Sequence, residues 1–133
     1  MKKPTCLLST LSTAIEIGSG DPQVYYERGL ARFELQDYEG SIEDFTKAIE
    51  IDPNNKWSYL YSGIAKMGNA DYPGAIADIN RAIELNPTFS AAYYSRGLLK
   101  IELGQIANGH LDLKKASELS NTRVFEGIDI NCN

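Results

Sequence analysis

The sequence predicts an all-α fold of three antiparallel helix pairs in series, with an extra amino-terminal helix and a short carboxy-terminal capping segment. The segment DYEGSIEDFTKAIEIDPNN, which begins at Asp37, returns from Asp71 as DYPGAIADINRAIELNPTF. Tyr25, Tyr59 and Tyr93 extend the same interval of thirty-four positions to a third copy. Within each copy the apolar residues recur every three or four positions, which is the helical spacing. A fixed period of this length indicates one supersecondary unit that is repeated.

A first helix is predicted over 5–17, before the repeated units. Its apolar face would carry Leu7, Leu8, Leu11 and Ile15. Lysines precede this apolar stretch, as in an export signal, but serines and threonines interrupt it and no convincing small-residue cleavage site follows. We therefore favour a cytoplasmic chain over an exported one. Residues 1–20 are predicted to form a helix that caps the array.

The three units form one domain, residues 21–133, and cover about 22–55, 56–89 and 90–121. Asp52 and Asn86 end the first two units, because a residue before proline is pushed out of helical geometry. The spacing predicts helices at 22–35, 38–51, 56–69, 72–85, 90–103 and 106–119. Beyond Asn121, a short capping helix is predicted from Val124, Phe125 and Ile128.

Small residues predict how each helix pair closes. Gly29 and Ala48 in the first unit leave room for two helix backbones to approach, and Gly63 and Ala82 do the same in the second. A leucine at Gly63 should therefore force the pair apart, at a cost of about 1–3 kcal/mol.

These residues resemble the tetratricopeptide repeat over about 22–121. The first unit carries the pattern at Tyr25, Gly29, Ser41, Phe45, Ala48 and Pro53, and the second at Tyr59, Gly63, Ala75, Ala82 and Pro87. It departs from the pattern at Ile79 and Leu113, where an aromatic residue is usual, and at Asn121, where proline is expected. The resemblance implies a right-handed superhelix whose first helices line a concave groove for another protein.

By the family's geometry, nine residues of the first helices are the candidate groove. They are Tyr26, Leu30, Phe33, Trp57, Tyr61, Ile64, Tyr94, Leu98 and Ile101. Some of them are alternatively packing residues between units. Trp57 is the best single candidate, as the only tryptophan and a residue type enriched at binding hot spots. Glu27, Glu34 and Glu102 lie beside this row and predict an acidic rim.

Composition argues against several other classes of function. The net charge of −5 disfavours nucleic acid, and no apolar run is long enough for a membrane span. Cys6 and Cys132 lack a second ligand at metal spacing, so neither a metal nor another cofactor is expected. The only histidine, His110, has no partner for catalysis. Acidic residues such as Asp44 have Lys47 nearby and resemble a solvated helix face, so an enzyme is not expected.

One specialised binding mode is also disfavoured. Family members that hold the acidic tails of chaperones use Lys, Asn and Arg at positions that are here Tyr26, Leu30, Tyr61, Ala91 and Ser95, and none matches. We therefore predict an adaptor or assembly scaffold that binds a peptide or helix with apolar anchors. The alternative is a structural unit that forms homodimers or end-to-end stacks through its terminal helices.

Overall fold

The computed structural model describes the backbone of residues 4–128 and the side chains of residues 4–120. Over this range all regular structure is helical, which confirms the all-α fold class. The helices are α1 Pro4–Glu16, α2 Pro22–Glu34, α3 Tyr38–Ile51, α4 Lys56–Gly68, α5 Tyr72–Leu85, α6 Ser90–Glu102 and α7 Ile106–Ile128.

The helices pack as a solenoid of pairs. α2 packs on α3, α4 on α5 and α6 on α7, while α3–α4 and α5–α6 contacts join successive pairs and α1 packs on α2. The core is centred on Leu60 and Ile79 of the middle pair and extends to Leu99 of α6, and each of these residues has at most 2% of its surface exposed. Gly63 lies against this core, since a methyl group there would come within 2.7 Å of Ile79. The expectation that small residues allow close helix approach therefore has a direct structural basis.

The carboxy-terminal end differs from the prediction of a break near Asn121. α7 continues as one helix to Ile128. Pro53 and Pro87 stand after the second helices of the first two units, whereas Asn121 occupies the corresponding place in the third and still allows helical geometry. The predicted separate capping helix is wrong. The side chains of Val124, Phe125 and Ile128, like Cys132, lie outside the described residues.

The first helix of each pair ends in the same turn. Gln36, Ala70 and Gly104, which are separated by the repeat period, have positive φ angles of 63°, 62° and 86°. The N–H that follows each one donates to a carbonyl five positions back, which is the Schellman arrangement. In the first two units that following residue, Asp37 or Asp71, also caps the next helix through its carboxylate. One residue thus ends one helix and begins another.

These turns give a stability prediction. Gln36→Gly and Ala70→Gly should each raise the free energy of unfolding by about 0.5–1 kcal/mol, because a side chain is strained at positive φ and glycine is not. Gly104→Ala should lower it by a similar amount. Urea denaturation of the three variants would measure these changes, and a Gly104→Ala variant as stable as the parent would contradict the argument.

A buried carboxylate joins the two helices of the first pair. Asp44 on α3 is 2% exposed and accepts two hydrogen bonds from the Arg28 guanidinium, at 2.8 and 2.7 Å. Arg32 approaches the same carboxylate at 3.2 Å. The interpretation of Asp44 as part of a solvated face is therefore wrong, because it points to α2, while Lys47 instead pairs with exposed Glu50 at 3.8 Å.

The same position is acidic in the other two units. Asp78 accepts a hydrogen bond from Ser62 at 2.7 Å and pairs with Lys66 at 2.8 Å. The corresponding residue of the third pair is Asp112, bound by the guanidinium of Arg96 at 2.7 and 2.8 Å. Each helix pair is therefore closed by a cation on its first helix and a carboxylate on its second.

Asp112 predicts a pH dependence of stability. Burial disfavours its charged form, but hydrogen bonds from Arg96 and Lys100 outweigh burial and lower the pKa of the carboxyl below its usual value. Its contribution to stability should be complete above the unfolded pKa of about 4 and decline as pH falls through the lower folded value. The stability difference between parent and Asp112→Asn, measured from about pH 6 to about pH 2, should therefore shrink. A constant difference would contradict this assignment.

Candidate peptide-binding groove

Tyr61 is the centre of an aromatic cluster that joins the first two units. Its ring centroid lies 6.3 Å from that of Tyr26 and 6.4 Å from that of Phe33, both on α2. It also stacks on Phe45 of α3 at 6.2 Å, and Phe45 is fully buried. The structure thus brings three predicted groove residues together, with Tyr61 serving in part as packing between units.

Trp57 extends the cluster towards solvent. Its ring stacks on Tyr61 at 6.3 Å and meets Phe89 edge-on at 4.8 Å. The side chain is nevertheless 42% exposed. Because Asn55 caps α4 through the N–H of Trp57, the backbone at this position is fixed as well. Trp57 is therefore an anchored aromatic ring with a free surface.

Glu27 lies near Tyr26 of this cluster, and the other two predicted rim carboxylates are exposed on α2 and α6. Burial, followed by the neighbouring Tyr61 and Glu27, raises the pKa of Tyr26 to about 12, so its phenol is neutral at physiological pH and can donate a hydrogen bond. Glu27 and Glu34 are both exposed on α2, and Glu102 is exposed at the end of α6. These carboxylates favour a ligand with positive charge.

Three aliphatic residues of the predicted groove lie partly buried on the first helices. Ile64 packs against the core of the middle pair. Ile101 contacts the helix beside it, since a methyl group on Gly109 of α7 would come within 2.6 Å of its side chain. Leu30 is also partly buried. A large part of each side chain is thus occupied by packing within the array.

The last two candidates, on α6, are more exposed. Tyr94 is 55% exposed and Leu98 is 40% exposed. Tyr94 has no ring contact with another aromatic side chain in residues 4–120, so it lies outside the Trp57 cluster. It lines a pocket of about 400 Å³ between α6 and α7.

The sequence prediction did not include Phe89, which supports Trp57. Phe89 stands where Asp21 and Asn55 cap the first helices of the earlier units, and it is 5% exposed. An apolar ring at a capping position was the signal in the sequence. Lys56 also lies over this ring, with its ammonium 5.0 Å from the centroid.

Two absences hold for the described part of the chain. No helix within residues 4–128 combines the length and apolar character that a membrane crossing needs. Among the side chains of residues 4–120, no three His, Cys, Asp or Glu residues are grouped so that they could hold a metal ion.

Comparison with known proteins gives the same repeat. The model of the tetratricopeptide repeat family matches residues 22–55. No curated protein matches the chain in sequence.

Several solved structures share the fold. A crystal structure of MamA has a TM-score of 0.75 at 22% identity, covering 91% of this chain and 80% of that one. The first tetratricopeptide-repeat domain of Spaghetti (RPAP3), bound to the HSP90 peptide SRMEEVD, has a TM-score of 0.72 at 26% identity. The match covers 74% of this chain and 79% of that one. The corresponding domain of Arabidopsis OM64 has a TM-score of 0.68 at 28% identity, with 71% and 78% covered.

Proposed function

We propose that the chain is a non-enzymatic interaction module of tetratricopeptide repeats, an adaptor or assembly scaffold that binds a peptide or helix along α2, α4 and α6. The observation that carries this proposal is Trp57, which is fixed by Tyr61 and Phe89 yet remains 42% exposed. Two similar structures, both of Spaghetti (RPAP3) domains, are bound to a peptide, which supports a protein partner.

The mechanism is burial of an apolar anchor of the partner against Trp57. A ring that is already held on two sides loses little conformational freedom on binding, so more of the burial free energy appears as affinity. Tyr26 and Leu30 on α2 would extend the contact. Aromatic residues in such positions are common hot spots.

Charge distinguishes the proposed ligand from the peptide SRMEEVD held by Spaghetti (RPAP3). That peptide is acidic, whereas this chain has a net charge of −5 and exposed carboxylates at Glu27, Glu34 and Glu102. Like charges across an interface repel. We therefore propose a segment with apolar anchors flanked by Lys or Arg.

Trp57→Ala should weaken binding of such a segment by about 2 kcal/mol or more, because the anchor surface is lost. Calorimetry with a panel of synthetic peptides that combine an aromatic or aliphatic anchor with Lys and Arg would measure this. SRMEEVD is the matched acidic peptide and should not bind. Leu111→Ala is the control variant, since Leu111 is 64% exposed on α7 and lies outside the nine candidate residues. Equal affinities for parent and Trp57→Ala would remove the groove hypothesis.

A self-assembly unit is the second candidate. Apolar exposure at the carboxy-terminal end favours it, with Ile106 50% and Tyr94 55% exposed. Light-scattering mass over a wide concentration range separates the two candidates, because an interaction module without its partner should stay near 14.7 kDa.

We also place the chain in the cytoplasm. The two cysteines of the sequence, Cys6 and Cys132, do not make a disulfide framework, which is typical of a reducing compartment. A protein extracted with Cys6 in a disulfide would contradict this location.

A further inference from the structure

An apolar surface lies open at the end of the third pair. We call it the third-unit face and define it by Tyr94 and Leu98 of α6 with Ile106, Leu113 and Ala116 of α7. Tyr94, Leu113 and Ala116 line the pocket of about 400 Å³. Tyr94 is 55% exposed, Leu98 is 40% exposed and Ile106 is 50% exposed.

The repeat period identifies the matching surface in the first pair. Two periods earlier in the chain, it consists of Tyr26, Leu30, Tyr38, Phe45 and Ala48. There, α4 covers the surface. Tyr61 of α4 contacts Tyr26 at 6.3 Å and stacks on Phe45 at 6.2 Å. Gly68 makes room for Tyr38, because a methyl group on Gly68 would come within 2.7 Å of that ring.

The second pair shows that coverage of this surface is the rule within the array. Leu60 and Ile79 correspond to Tyr94 and Leu113, and they are 2% and 0% exposed. α6 packs on α5 beside them. Tyr94 is more than half exposed because no described helix follows α7 to cover it. Within residues 4–120, the same surface is thus covered by a following helix in two pairs and left uncovered in the third.

We propose that the third-unit face binds an amphipathic helix of a partner protein, in the place that α4 occupies on the first pair. The helix would insert an aromatic side chain between Tyr94 and Leu113, as Tyr61 does between Tyr26 and Phe45. Two turns further along, it would present glycine or alanine to Ile106, as Gly68 does to Tyr38. The face shares Tyr94 and Leu98 with the candidate groove, but the proposal does not rest on binding at Trp57.

The internal packing also favours a partner over a second copy. The helices that fit this surface are first helices of a pair, and in a folded copy α4 and α6 are already packed against their neighbours, while α2 carries α1. A second copy therefore has no free first helix to offer. The pocket is lined only by uncharged residues, Ser120 among them. Apolar shape, unlike the acidic groove rim, would select the partner.

The first test uses a synthetic peptide of residues 54–70, which contains α4, as the probe. Titrated to about 1 mM into the ¹⁵N-labelled full chain, a range that detects weak binding, it should shift resonances of α6 and α7. Ile106→Glu combined with Ser120→Glu should weaken binding about tenfold or more by placing charge at the face. Leu111→Glu is the matched control and should bind like the parent, because Leu111 is exposed. Its counterparts in the earlier units, Glu43 and Ala77, are exposed as well.

Isolated helices of this length are marginal in water, so the free peptide would form little helix. The second test therefore tethers the same segment to the chain. Residues 54–70 appended to the full chain by a flexible Gly/Ser linker should raise the thermal midpoint. An appended copy with Tyr61→Ala and Gly68→Leu should not. The proposal is overturned if the tether gives no stabilisation, if the Ile106→Glu and Ser120→Glu variant binds like the parent, or if light scattering shows a dimer that this variant dissociates.

Discussion

Asp44→Ala is expected to lower the free energy of unfolding by about 3 kcal/mol. The substitution removes the common partner of two arginines, Arg28 and Arg32, whose side chains are only 16% and 23% exposed. Both cations would remain largely desolvated without their carboxylate. Loss of one partner from a buried ion pair is therefore more costly than the pair's net contribution suggests. Chemical denaturation with matched m-values would measure the change.

Glu50→Ala provides the control on the same helix. Glu50 pairs with Lys47 at 3.8 Å, and the two side chains are 61% and 52% exposed. Solvent screens such a pair, so its removal should change the free energy of unfolding by less than about 0.5 kcal/mol. If Asp44→Ala were no more destabilising than Glu50→Ala, the carboxylate between α2 and α3 would not be a structural determinant.

The helices were predictable because their ends are marked in the sequence. Asp37 and Asp71 are good caps, and proline follows the second helix in the first two units. Helices predicted over 38–51 and 72–85 are found at those bounds. Asn121 stands where the first two units have proline. Asparagine allows a helix to end but does not force it to, so the predicted end of α7 was too early.

The partner of Asp44 was not predictable from spacing alone. Lys47 is one turn away on the same helix, which suggests a surface pair, whereas Arg28 lies on another helix. The choice depends on which side of α3 faces α2. In retrospect the recurrence of an acid at Asp78 and Asp112 was the available signal, because surface charges have no reason to keep the repeat period.

Burial along the first helices follows the neighbouring helix more than the residue type. Leu60 and Tyr94 hold the same place in successive units, yet one is 2% and the other 55% exposed. The sequence sets the position of a residue within the repeat. Whether that position is buried depends on whether another helix packs over it. For the same reason, the nine candidate groove residues range from partly buried Ile64 to exposed Tyr94, although one geometric rule selected them.

At the amino-terminal end of the array, the residues of α1 also follow the repeat period. It begins at Pro4, one repeat period before Tyr38, so it has the register of the second helix of a pair. Leu11 takes the place of Phe45 and is 7% exposed. Thr10 stands where the pairs have their carboxylate, and its hydroxyl donates to the Cys6 carbonyl at 3.2 Å. Among residues 4–120, α1 thus carries a hydroxyl at the place where the second helices of the three pairs carry a carboxylate.

Gly97→Leu is expected to lower the free energy of unfolding by about 3 kcal/mol, at the upper end of the usual overpacking range. A methyl group at Gly97 would come within 2.8 Å of the Gly109 carbonyl oxygen and 3.0 Å of Leu113. The carbonyl belongs to the backbone of α7 and cannot rotate away as a side chain could. α6 and α7 would have to separate. Thermal and urea denaturation would measure the loss.

Gly20→Leu is the matched control, because a methyl group there meets nothing within 4 Å. It should change stability by less than about 0.5 kcal/mol, as surface substitutions usually do. Loss of stability in Gly97→Leu alone would show that close approach of α6 and α7, rather than glycine content, stabilises the third pair. The same variant should also perturb the third-unit face, since Leu113 lies beside Gly97 and lines the pocket. Both expectations would be contradicted if the Gly97→Leu chain were as stable as the parent and the NMR resonances of α6 and α7 were unchanged.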